Sequence, residues 1–61
     1  MGDKYNMEDR YNGIKFEVYE EEGQGWYGIF YSNGEEYRTE NFSTVQKAID
    51  AAKELIEIHC D

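Results

Sequence analysis

The last third of the chain, Ser43 to His59, limits what the sequence can become more than any other stretch. Val45, Ala48, Ile49, Ala52, Leu55, Ile56 and His59 recur at helical spacing, which gathers them on a stripe about 100° wide. Such a stripe has to be buried against a second layer. Every earlier segment with a regular pattern alternates as strands do, so the second layer must be a sheet.

Ile14, Phe16 and Val18 alternate with Lys15, Glu17 and Tyr19, the period of a half-buried strand. Glu20, Glu21 and Glu22 then repel one another just before Gly23-Gln24-Gly25, a composition that favours a turn. A second strand follows in Trp26 to Tyr31. After it, Asn33-Gly34 suits the positive φ angles of a two-residue type I′ turn and so sets a hairpin register. Ser32 pairs with Glu35, Tyr31 with Glu36, Phe30 with Tyr37, Ile29 with Arg38, Gly28 with Thr39 and Tyr27 with Glu40. In this register Trp26, Gly28, Phe30, Tyr37 and Thr39 join Ile14, Phe16 and Val18 as an apolar floor for the helix. Gly28, lacking a side chain, lets the helix come close. The other face carries Lys15, Glu17, Tyr19, Tyr27, Ile29, Tyr31, Glu36, Arg38 and Glu40, more aromatic surface than an ordinary solvated sheet.

Ser43-Thr44-Val45-Gln46 matches a capping box, with Ser43 as the cap and Gln46 reaching back. Residues 1–12 are polar and show no clear period, and they are expected to form a loose arm. The expected fold is therefore α+β: a three-stranded antiparallel meander followed by one C-terminal helix packed on one sheet face, forming a single domain over residues 13–61.

Two stretches carry a family likeness. Gly25-Trp26-Tyr27-Gly28-Ile29-Phe30 after an acidic turn, and Ser43-Thr44-Val45-Gln46-Lys47-Ala48-Ile49-Asp50-Ala51-Ala52-Lys53-Glu54-Leu55-Ile56, resemble the N-terminal domain of HicB-like antitoxins. That family has a strand-strand-strand-helix core. It usually carries a Pro-Asp-Leu-Pro-Gly-like segment where this chain has Tyr31-Ser32-Asn33-Gly34, and usually continues into a DNA-binding segment. The resemblance implies a module that binds a small ribonuclease toxin.

Charge narrows the choice of partner. Fourteen acidic residues against six basic ones give a net charge of −8, which opposes direct binding to nucleic acid or to an anionic membrane. Ten aromatics, six of them tyrosine, are too many for a disordered acidic tail. No apolar run is long enough to span a membrane and no signal-peptide core opens the chain. A single cysteine, Cys60, allows no internal disulfide and points to a reducing, cytoplasmic setting. His59 and Cys60 are adjacent on the helix, so they diverge and make a poor metal pair. No nucleophile stands with a base and an orienting group, so neither catalysis nor a cofactor is expected.

Two surfaces are expected to bind. Asp50, Glu54, Glu57 and Asp61 fall at i, i+4, i+7 and i+11, forming one ridge roughly 16 Å long opposite the apolar stripe. With Glu20, Glu21, Glu22, Glu35 and Glu36 it could imitate a phosphate backbone and occupy the basic groove of a nucleic-acid enzyme. Alternatively the ridge only keeps the helix soluble, with Lys47 and Lys53 as ion-pair partners. Residues 14–42 are acidic too, with seven carboxylates against two basic side chains. The second surface is Tyr19, Tyr27, Ile29 and Tyr31, suited to a partner or a second copy of the chain; otherwise the N-terminal arm folds over it or it stays solvated. The expected function is a small acidic module that blocks a nucleic-acid-handling enzyme by DNA mimicry, as an inhibitor from a phage or mobile element would. The alternatives are the HicB-like antitoxin module and a homodimerising assembly domain.

Overall fold

The computed structural model of the protein describes residues 2–59. Met1, Cys60 and Asp61 lie outside them, so the expectations placed on Cys60 and Asp61 do too. Four strands and one helix follow in order: β1 (Asp3–Tyr11), β2 (Ile14–Glu21), β3 (Gly25–Ser32), β4 (Glu35–Arg38) and α1 (Val45–His59). The strands form one antiparallel sheet in the order β1-β2-β3-β4. Helix α1 packs across β3 and, less extensively, β2. The α+β architecture is the one its sequence pattern implies, with one strand more.

That extra strand is a correction. Residues 3–11 are not a loose arm; they pair with β2 from Asp3 opposite Glu21 to Tyr11 opposite Ile14. Two local features explain it. Asn12-Gly13 is the same dipeptide as Asn33-Gly34 and takes the same backbone, with φ of 54° and 81° at both turns, so a second tight hairpin closes at residues 12 and 13. The register also slips between Tyr5 and Met7, where Asn6 is the additional residue of a β-bulge. The slip sends Tyr5 to the uncovered face and Met7 to the helix side, although two residues apart they would otherwise share a face. This erases the alternation that marks a strand.

The β3–β4 register holds as far as Ile29 opposite Arg38. Beyond it the expected pairing of Tyr27 with Glu40 gives way to a bridge between Trp26 and Phe42. The Thr39 hydroxyl makes the adjustment: it accepts from the Gly28 amide at 2.9 Å and donates to the Glu40 carbonyl at 2.8 Å, replacing a backbone partner.

Phe16, Val18, Phe30, Ala48, Ala52 and Ile56 form the buried core, edged by Met7, Tyr11, Ile14, Trp26, Tyr37, Phe42, Val45, Ile49 and Leu55. Gly28 lies beneath the helix, as expected from its place in the strand. The cap is displaced by one residue from the predicted one. Thr44, not Ser43, accepts from the Lys47 amide at 3.2 Å, because the helix begins at Val45 and the cap immediately precedes it. Gln46 turns forward to Asp50 at 3.0 Å rather than back.

Candidate functional site

A sheet with one helix leaves its other face uncovered, and β2, β3 and β4 send Tyr19, Tyr27 and Arg38 to it. Rings and a guanidinium stack in a row there. Tyr5 meets Tyr19 edge-on at 5.8 Å, Tyr19 stacks on Tyr27 at 5.7 Å, and the Arg38 guanidinium lies 3.8 Å over the Tyr27 ring, a cation–π contact. Glu21 accepts hydrogen bonds from Arg38 at 3.0 Å and from Asn41 at 3.0 Å, fixing that end of the row. Tyr27 donates to Asp3 and keeps only 5% of its surface exposed.

The row is therefore unevenly open. Tyr5 and Tyr31 expose 52% and 62% of their surface, while Tyr19 and Ile29 are half-buried. The strand formed by residues 3–11 extends this face sideways and contributes Tyr5 to it; it does not fold over it. Tyr5 was not among the residues anticipated for the site, because only the bulge at Asn6 brings it to this side.

The phenols sit among carboxylates, and their acidities respond. Burial, more than the hydrogen bond to Asp3, pushes Tyr27 up to about 12. The hydrogen bond to Glu17, 3.1 Å long, raises Tyr19, and partial burial with Glu8 and Glu17 nearby raises Tyr5. These phenols stay protonated at neutral pH, each with its single O–H already donated to a carboxylate: Tyr27 to Asp3, Tyr19 to Glu17 and Tyr5 to Glu8.

On the opposite side of the molecule Asp50, Glu54 and Glu57 are exposed along the outer surface of α1. Glu57 accepts a hydrogen bond from Tyr11, which raises that phenol's pKa chiefly through the bond itself. Among the described residues the ion pairs are Lys15 with Glu8 and Arg38 with Glu21. Neither Lys47 nor Lys53 pairs with Asp50, Glu54 or Glu57, and Lys53 lies 5.6 Å from the Tyr11 ring.

The other acids expected to extend the ridge fall at the two ends of the sheet. Glu20, Glu21 and Glu22 lie where α1 begins, Glu35 and Glu36 where it finishes, since α1 starts beside the Trp26–Phe42 bridge and ends with His59 stacked on Tyr37 at 4.5 Å. Glu21 is held by Arg38 and Asn41, and Glu35 accepts from Tyr37 at 3.0 Å.

A third feature escaped the sequence. Between α1 and residues 38–42 runs an open groove of about 330 Å³, with Phe42, Ala51, Leu55 and Ile58 along its floor and Arg38, Glu40 and Glu54 at its rim. Ile58 is 71% exposed. Its position outside the apolar stripe gave no sign that it would extend a neighbouring hollow.

Among the described residues no group of three His, Cys, Asp or Glu is placed to hold a metal ion, and no helix is long and apolar enough to cross a membrane. The chain matches no protein-family profile, no curated protein and no solved structure.

Proposed function

We propose that this protein is a small acidic binding module whose partner is a basic, nucleic-acid-handling protein, blocked when the carboxylate ridge of α1 occupies its phosphate-binding groove. The observation carrying this reading is that Asp50, Glu54 and Glu57 are exposed in a row and that neither lysine of the helix forms an ion pair with them. A row that served only solubility would be equally effective with its lysines interspersed as partners. Glu20–Glu22 and Glu35–Glu36, at opposite ends of the sheet, extend the negative field along the molecule and steer a cationic surface towards it.

A second reading rests on the uncovered sheet face. Tyr31 and Tyr5 are exposed beside half-buried Tyr19 and Ile29, the aromatic composition of an interface centre. In that reading the tyrosines, not the ridge, make the contact.

Affinity capture at about 150 mM salt distinguishes them, comparing the protein with a variant carrying Asp50→Asn, Glu54→Gln and Glu57→Gln. A nuclease or glycosylase held by the parent, lost by the variant, and released as salt rises from about 50 to 500 mM supports mimicry. Equal capture by both transfers the site to the tyrosine face. Capture of a small ribonuclease instead favours the HicB-like alternative.

A further inference from the structure

We propose that β4 is a self-pairing edge, along which two copies of this chain join antiparallel about Tyr37 into one continuous sheet.

The backbone sets the terms. The Thr39 amide donates to the Gly28 carbonyl at 2.9 Å, so Gly28 and Thr39 stand at a hydrogen-bonding position of the ladder, with the return bond from the Gly28 amide taken by the Thr39 hydroxyl. Alternation along an antiparallel ladder makes Phe30–Tyr37 and Ser32–Glu35 the next such pairs. Glu36 and Arg38 therefore turn their N–H and C=O groups away from β3, onto the free edge. These are the groups that a further strand would use.

Charge selects the register. If the two strands cross at Tyr37, each Glu36 faces Arg38 of the second copy, and the pair occurs twice. Centring the pairing on Glu36 would set two glutamates against each other, and centring it on Arg38 would do the same to two arginines. Only the Tyr37 register is complementary. Both side chains lie on the uncovered face, as the contact of Arg38 with the Tyr27 ring shows. Arg38 has capacity for the extra carboxylate: its bonds to Glu21 and Asn41 both leave from Nη2, and a guanidinium has five N–H donors.

A two-fold axis normal to the sheet places both α1 helices on one side, and the register sets residues 39–42, beside the groove of each copy, opposite residues 32–35 of the other. The opposite edge, β1, is unsuited to such pairing, because the Asn6 bulge interrupts it and Asp3, Lys4, Glu8, Asp9 and Arg10 charge it.

Sedimentation velocity over a concentration series tests the proposal, with circular dichroism confirming that each variant is folded. The parent is expected to show a reversible monomer–dimer equilibrium. Glu36→Arg sets arginine against arginine twice and should weaken the dimer about tenfold; combining it with Arg38→Glu should restore affinity. Because Arg38→Glu also removes the bond to Glu21, a second measurement is independent of substitution. In a mixed labelled and unlabelled sample, an intermolecular nuclear Overhauser effect should join the Tyr37 α-protons, which a non-hydrogen-bonded pair brings together. A chain still monomeric at about 1 mM, a dimer indifferent to Glu36→Arg, or a dimer without the Tyr37 contact would overturn it.

Discussion

Gly28 lies so close beneath Ala52 that a β-carbon added to the glycine would stand 2.8 Å from the Ala52 Cβ and 3.3 Å from the Ala48 carbonyl. The helix rests on the sheet through two small residues and a missing side chain. Gly28→Ala should therefore destabilise the fold by about 1–3 kcal/mol through overpacking, read as a lower denaturation midpoint at unchanged slope. An unchanged midpoint would mean that α1 can lift without cost, contrary to a seat that depends on glycine.

Thr44 caps α1 through the Lys47 amide, whereas the neighbouring Ser43 precedes the helix by one residue more. Thr44→Ala should cost about 1 kcal/mol and Ser43→Ala close to nothing. Thermal melts of the two single variants decide between the positions, and a larger loss for Ser43→Ala would return the cap to the residue that the sequence motif favours.

β1 contributes Met7 and Tyr11 to the margin of the core and shields the edge of β2. Removing residues 1–10 should abolish cooperative unfolding in a chain this small, which has little burial to spare. Gly13→Ala is the milder test. At φ +81° an alanine is strained by about 1–2 kcal/mol, and a truncated chain that melts like the parent would make β1 an appendage after all.

The legible parts of this fold are those set by local chemistry. Asn33-Gly34 fixes the β3–β4 hairpin because only a few residues tolerate that backbone, and the stripe from Ala48 to Ile56 marks the buried side of α1 because the period survives intact. β1 carries the same Asn-Gly turn signal at residues 12 and 13, but its alternation is broken twice, by the inserted Asn6 and by charged Asp9 opposite Phe16 on the helix side. The alignment of Tyr5, Tyr19, Tyr27 and Arg38 joins four strands and depends on register across all of them, so no local signal encodes it. The acidic ridge was visible from spacing alone. That Lys53 would turn to Tyr11 rather than to its acidic neighbours depends on where β1 runs.

Tyr27 ties the uncovered face to alkaline stability. Burial, the hydrogen bond to Asp3 and the charge of Asp3 together outweigh the opposing influence of Arg38, and its pKa stands at about 12 against the usual 10.0. The folded state thus holds the phenol's proton more tightly than the unfolded chain. The associated stability is complete below about pH 10 and is lost as pH rises through about 12, where the folded protein must also ionise the ring. Urea midpoints measured across this interval should fall for the parent. In Tyr27→Phe they should start lower at neutral pH, because the Asp3 contact is gone, and decline less steeply between about pH 10 and 12. Parallel curves would show that ionising Tyr27 costs the fold nothing, and would remove it as the buried anchor of the tyrosine row.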